Sequence, residues 1–331
     1  MSLHLHSIGT PPSNKDIPEP VIVNSLLVDK LVITVDIPAS ERDGVINRMR
    51  EHGAIHRKSG GRYQYLLTLS VNKESLEQLW VDKSGDTTLR IEADPRGAGH
   101  NFMRFEWNPS KVCPIAIVYT IEHYAPLLWD YHDVLMKARV NRIDLAIDVL
   151  NVGIDQIYFH SAKKSITEIM FTHSSAKGGK TEYLGQHKSE KRFRIYDKAA
   201  QIKQKNKNKI VELKEDIPEQ NITRIELELK PNKKSSLMML LEMESPFTDL
   251  SVYSYPADLL GDDLFIQILA ISRYEGLTKT IKTLSSLNKK KYLAILEGSR
   301  VYWWHPDDIW GGMPTIIDKL MYPIESTIEY K

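Results

Sequence analysis

The sequence is short of cysteine, of long apolar runs and of net charge, and each shortage closes off a class of protein. A single cysteine, Cys113, among 331 residues excludes a disulfide framework and any zinc site built from thiolates. No apolar stretch approaches the roughly 18 residues of a membrane-spanning helix, so no membrane partner is expected. The opening residues, Met1-Ser2-Leu3-His4, have no basic region leading into an apolar core. No secretory leader is expected, therefore, and the expected location is cytoplasmic. Lys and Arg number 44 against 43 Asp and Glu, a net charge of +1, which taken alone argues against a polyanionic partner. What is present is a globular composition, 42% hydrophobic and 26% charged. The length suits about two domains at roughly 150 residues each.

The neutral total conceals an uneven distribution. Lys177 to Lys214 holds twelve basic residues and four acids, a local net charge of +8. A run of this kind is either a solvated face or a surface for a polyanion, because clustered Lys and Arg make phosphate contacts.

Punctuation and periodicity divide the chain. Residues 1–20 carry Pro11, Pro12, Pro18 and Pro20 and little apolar content, which predicts a flexible tail. Strands are expected at Leu26–Ile37 and Tyr63–Val71, with a hairpin pairing Thr88–Ala93 and Asn101–Trp107 across Asp94–Gly99. Helical spacing covers Ser40–His52, and a longer helix is expected over Ile115–Lys137. Three further strands fall at Arg142–Val149, Lys191–Lys198 and Thr223–Lys230. Beyond these, helices are expected at Leu237–Met243, Asp262–Arg273, Leu277–Leu287 and Lys290–Leu296. The expected class is α+β, with 21–245 as one domain and 246–331 as a helical C-terminal region. That region carries Arg273, Lys279, Lys282, Lys289, Lys290, Lys291 and Arg300, either as a DNA-recognition face or as solvated sides of a small bundle.

Alternate residues of a strand share a face, and this rule assembles the candidate chemistry. Arg142, Asp144, Ala146 and Asp148 lie opposite Ile143, Leu145, Ile147 and Val149. Arg224, Glu226, Glu228 and Lys230 lie opposite Ile225, Leu227 and Leu229, while Arg192, Arg194, Tyr196 and Lys198 lie opposite Phe193 and Ile195. In one sheet these polar faces merge. Crowded carboxylates repel unless a cation binds them, so Asp144, Asp148, Glu226 and Glu228 are candidate ligands for Mg²⁺ or Mn²⁺. Nearby cations would stabilise a phosphoryl group, and Tyr196 could attack it through a covalent intermediate. The competing reading is a solvated sheet face laced with cross-strand ion pairs, Arg142 to Glu226 for example. Periodicity does not select Tyr196 among the 15 tyrosines.

The run Gly178 to Ser189 (GGKTEYLGQHKS), continuing to Arg194-Ile195-Tyr196-Asp197-Lys198, resembles the signature of the Rep_trans family of rolling-circle replication initiators. Arg142 to Asp148 (RIDLAID) and Arg224 to Lys230 (RIELELK) flank it in the family's order, and Glu106 to Pro109 is similar to a segment of its phage members. The resemblance covers about residues 25–235. It implies a metal-dependent origin nickase and strand transferase that cuts DNA through a 5′-phosphotyrosine, leaves a 3′-OH to prime synthesis, and rejoins the strand. By that resemblance Tyr196 is the nucleophile, and Asp144, Asp148, Glu226 and Glu228 supply the ligands for Mg²⁺ or Mn²⁺. Arg192, Arg194, Lys198, Lys188, Arg142 and Arg224 are the expected phosphate contacts. It further implies tandem ferredoxin-like (RRM-like) modules with a degenerate HUH-endonuclease palm. The implied partners are a double-stranded origin with a single-stranded nick region, a second copy of the chain, and a host helicase and polymerase. A conjugative relaxase and a non-cleaving DNA-binding regulator are the alternatives.

Other suggestive residues are read as ordinary. His4-Leu5-His6 matches a metal-binding spacing but adjoins the proline-rich tail. His187 is read as a loop histidine. Tyr183 is assigned to the opposite sense of its strand, as packing or a secondary contact. Tyr302, Trp303 and Trp304 are expected to pack rather than to stack on bases.

Overall fold

The computed structural model describes residues 20–58, 61–70, 88–97, 101–161, 169–173, 180–207, 218–231, 235–255, 262–275 and 277–323. The expected tail with His4 and His6, the Gly178-Gly179 pair, and Lys177, Lys209 and Lys214 lie outside the described residues. In chain order, strand β1 (Ile22–Val23) precedes β2 (Leu27–Asp36), helix α1 (Arg42–Glu51), β3 (Ile55–His56) and β4 (Tyr63–Ser70). Then come β5 (Thr88–Pro95), β6 (Phe102–Trp107), α2 (Pro114–Tyr124), α3 (Tyr131–Lys137) and β7 (Arg139–Leu150). Strands β8 (Ile157–Ser161), β9 (Ile169–His173), β10 (Lys180–Leu184) and β11 (Lys191–Asp197) lead into α4 (Lys198–Asn206), β12 (Ile222–Leu229) and β13 (Leu250–Ser254). Helices α5 (Asp263–Glu275), α6 (Leu277–Lys282), α7 (Ser286–Gly298), α8 (Pro306–Trp310) and α9 (Met313–Met321) complete the described elements. No helix among them is long and apolar enough to cross a membrane.

The chain forms two compact units. One is built from Leu27–Leu145, Leu229–Glu244 and the segment beginning at Gly312. Its strands run in the order β3-β4-β5-β6-β2, followed by the first part of β7. The expected β5–β6 hairpin is present, pairing Arg90 with Glu106 and Ala93 with Met103. Its register carries an apolar row across the sheet from Leu67 through Ile91 and Phe105 to Ile33. Ile91, Phe105 and Ile33 are fully buried. Helix α1 packs on β4 and β5 through Val45, Ile46 and Met49, and α3 packs on β2.

The single helix expected over Ile115–Lys137 is two helices. Pro126 disfavours helical backbone at the preceding residue, and Ala125 is extended at ψ 167°. The chain restarts at Asp130, whose side chain accepts from the Asp133 N–H at 2.7 Å and caps α3. On the other face of this sheet the charges interlock. Lys30 meets Glu106 at 2.8 Å, Arg104 meets Glu92 at 2.6 Å, and Arg90 meets Glu92 at 2.5 Å.

The second unit comprises the segment ending at Leu26, Ala146–Glu228 and Ser245–Gly311. Its strands follow the order of the later part of β7, then β12, β11, β10 and β9. Strand β1 pairs antiparallel with β7, and β8 with β13. Around β8 and β13, the side chains of Tyr158, Tyr253, Phe265, Ile268, Ile281, Tyr292 and Leu296 form an apolar core with α5, α6 and α7. Trp303 is buried and the Trp304 indole donates to the Leu250 carbonyl at 2.8 Å. These two rings pack, as expected, while Tyr302 is half exposed. Of the basic residues in this region, Lys291 is paired with Asp262 at 3.0 Å and Arg300 with Glu297 at 2.9 Å. The side chains of Arg273 and Lys279 lie outside the described residues. The helix expected over Leu237–Met243 is a 3-10 helix over Met238–Glu242. Such turns are the common form for a stretch this short.

Candidate active site around Tyr196

Tyr196 is the next-to-last residue of β11, and α4 starts two residues later. Strand β11 buries Phe193 and Ile195 completely on its apolar face, so Arg192, Arg194 and Tyr196 share the other. Directly after Tyr196 the Asp197 carboxylate accepts from the Ala200 N–H at 2.8 Å and caps α4. The β10–β11 hairpin turns at Gly185, where φ is +104° and a Cβ would lie 2.9 Å from the Lys191 carbonyl oxygen. Only glycine suits that backbone. The resulting register sets Thr181 opposite Tyr196 and Tyr183 opposite Arg194.

Strand β12 runs beside β11 and brings Glu226 to the tyrosine. The Tyr196 hydroxyl donates to Glu226 Oε1 at 2.5 Å. Arg194 pairs with the other oxygen, Oε2, of the same carboxylate. The Arg194 guanidinium also stands 4.9 Å from the centre of the Tyr196 ring. Tyr196 is only 4% exposed. Burial, and then the adjacent Glu226 charge, push its pKa far above the ordinary phenol value. Burial works against the Arg194 charge, but Glu226, Tyr196 and Tyr183 together raise its pKa. The resting site is a neutral phenol bound to a carboxylate whose charge is balanced by a guanidinium.

Two of the remaining acids expected as metal ligands, Asp148 and Asp144, are held by arginines. Asp148 and Arg224 form a two-pronged pair, Nε to Oδ1 and Nη2 to Oδ2, both at 2.6 Å. Asp144, in the other unit, is forked in the same way by Arg142 at 2.6 Å and 2.6 Å. Glu228 follows Glu226 on β12 at the same parity. Among the described residues no three of His, Cys, Asp and Glu come together to hold a metal ion. The charge compensation expected from Mg²⁺ or Mn²⁺ is supplied at Asp144, Asp148 and Glu226 by guanidinium groups. This donor set, as arranged, does not fit a metal centre.

The basic residues expected at phosphate are distributed differently from one another. Arg142 and Arg224 are committed to their aspartates. Arg192 lies over the Tyr183 ring at 4.2 Å. The Lys198 ammonium donates to Gln201 at 2.9 Å. Lys188 is exposed in the turn between β10 and β11, as is His187.

Beside the tyrosine is a cavity of about 160 Å³, lined by Thr181, Tyr183, Arg194, Tyr196, Asp197, Gln201 and Gln204. Tyr183 therefore belongs to the face of Tyr196, against the sense assigned to it from the strand alone. The hairpin register decides this, because residues of equal parity face each other across the Gly185 turn. Thr181, Gln201 and Gln204 were not singled out in the sequence. The available signal was the three-residue spacing of the two glutamines, which places them on one side of a helix.

No family model matches the chain, and no curated protein matches it. Among solved structures it is similar to a rolling circle replication initiator protein from Geobacillus stearothermophilus, at 12% identity and a TM-score of 0.35. The match covers 77% of this chain and 98% of that one. A likeness at that level establishes neither family nor activity.

Proposed function

We propose that this protein nicks and rejoins DNA through a phosphotyrosine at Tyr196, as an initiator of rolling-circle replication. The observation that carries the reading is the Tyr196 hydroxyl donating to Glu226 beside a cavity, with Arg194 on the second carboxylate oxygen. In the proposed step the phenol proton passes to Glu226 and the Tyr196 oxygen bonds to phosphorus. The phosphorus bond to the 3′ oxygen breaks, and that oxygen leaves as a 3′-OH with a proton from Glu226 or water. Rejoining is the reverse. Arg194 stabilises negative charge as the phenol ionises, and the lysines of α4 draw the DNA backbone to the site. The strand order of the first unit supports the ferredoxin-like expectation. Strand β2 lies between β7, the last strand, and β6, with β5 beyond. The second unit does not repeat that order, since β12 lies between β7 and β11.

A second reading, a DNA-binding regulator without cleavage, is favoured by the 4% exposure of Tyr196. One experiment separates the two. The protein is incubated with single-stranded and supercoiled origin DNA, with and without Mg²⁺ or Mn²⁺, and denatured before electrophoresis. A covalent adduct on the 5′ end, abolished in Tyr196→Phe and formed about 100-fold more slowly in Glu226→Gln, is the expected result. Retention of DNA by all three proteins on a parallel native gel, with no adduct after denaturation, establishes the regulator.

A further inference from the structure

Helix α4 starts at Lys198, two residues after Tyr196, and carries part of its first turns to the cavity beside the tyrosine. Gln201 and Gln204 stand three residues apart on α4 and both line the cavity that also holds Tyr196 and Arg194. Thr181 and Tyr183 of β10 complete the lining. The charged members of this wall are Asp197, whose carboxylate caps α4, and Arg194, which holds Glu226 through one nitrogen while its Nε makes no hydrogen bond among the described residues. Arg194 is therefore the group left to meet a phosphate. The rest of the wall is neutral, namely two carboxamides, a hydroxyl and an aromatic ring. That part suits a flat, neutral group with several hydrogen-bonding atoms on its edge, and a nucleobase next to the phosphate is that group.

Gln201 is already oriented. Its Oε1 accepts from Lys198 at 2.9 Å, so its NH₂ group is turned to donate. Among the described residues that NH₂ group makes no hydrogen bond. A donor on the cavity wall without a partner needs an acceptor, and N7 of a purine supplies one, while a carboxamide such as Gln204 can both donate and accept on the same edge. Tyr183 adds an aromatic wall, one face of which already carries Arg192 at 4.2 Å and the other of which is left for an unstacked base.

We propose that this cavity is a purine-reading pocket for the nucleotide adjoining the scissile phosphate, with Gln201 and Gln204 as its specificity determinants. The inference rests on the nicking reading for its substrate, and its test is read separately from nicking. A randomised single-stranded DNA library is offered to the wild-type protein, with covalently attached strands sequenced. It is offered also to Tyr196→Phe, with non-covalently retained strands sequenced. The same retention is measured for Tyr196→Phe combined with Gln201→Leu, with Gln204→Leu, and with Gln204→Glu, which keeps the shape of the side chain but loses its donor. The expected result is purine enrichment at one position in Tyr196→Phe, reduced about 10-fold by each glutamine substitution. Gln204 is exposed, so its variants are not expected to disturb folding. An unchanged profile in the glutamine variants, a uniform loss of all sequences, or no enrichment at any position overturns the pocket. Absence of covalent strands from the wild type, with the enrichment intact in Tyr196→Phe, overturns the nicking reading and leaves the pocket standing.

Discussion

Arg224→Met tests whether a guanidinium or a metal ion neutralises Asp148. The wild-type pair consists of two charge-assisted hydrogen bonds of 2.6 Å, between side chains only 8% and 14% exposed. Each bond of this type contributes about 1.5–3 kcal/mol, and removing one partner of a buried pair typically costs about 3–5 kcal/mol, because the other charge is stranded. Arg224→Met should therefore lower the unfolding free energy by about 3–5 kcal/mol in urea denaturation. Adding Asp148→Leu to it should recover much of that loss, since the stranded carboxylate is then gone. Mg²⁺ or Mn²⁺ should leave the wild-type midpoint unchanged. A cost for Arg224→Met of less than about 1 kcal/mol, the value of an exposed pair, refutes the guanidinium as the balancing charge. A rise of the wild-type midpoint with either ion, abolished by Asp148→Asn, refutes it equally.

Two further outcomes follow from the geometry. Burial pushes the Glu106 carboxyl up, but Lys30 and Arg104 more than offset it and hold its pKa at about 2 against an ordinary 4.5. At about 1.4 kcal/mol for each tenfold in proton affinity, the pairing is worth about 3 kcal/mol. Because the folded value is the lower one, this stability is present above pH 4.5 and is lost as pH falls toward 2. Unfolding monitored across that window should show the loss in the wild type and not in Glu106→Gln, and equal acid sensitivity of the two refutes the assignment. Gly185→Ala places a Cβ at φ +104° and 2.9 Å from a backbone carbonyl oxygen. It should cost at least about 1–2 kcal/mol in unfolding free energy and slow adduct formation by loosening the hairpin that aligns Thr181 with Tyr196. A variant as stable and as active as the wild type would show that the turn does not depend on glycine.

The features legible before the structure were those that local pattern controls. The β5–β6 hairpin follows from alternation on both sides of a turn, and α1 from its spacing of Val45, Ile46 and Met49. The division of β11 into an apolar face and an Arg-Arg-Tyr face was equally plain. Pro126 was visible too, yet the apolar periodicity of Ile115–Lys137 continued through it and concealed the break. Tyr183 was misplaced because its own strand is only five residues long. Its face is set by pairing with β11, which a single strand does not reveal.

Residue order alone determined which side chains are available: a basic stretch around Tyr196, acids at alternate positions of two strands, and two glutamines one helical turn apart. Which of them meet was decided by the tertiary structure. Glu226 is 30 residues from Tyr196 and reaches it only because β12 lies beside β11. The charge arithmetic was decided there as well. Carboxylates crowded on a polar face demand compensating charge, and a sequence states the demand without naming the source. Divalent metal and guanidinium both satisfy it, and the tertiary structure sets Arg142, Arg194 and Arg224 against Asp144, Glu226 and Asp148. The physical reason is that ion pairing acts over a few ångströms, whereas the sequence specifies neighbours only along the chain.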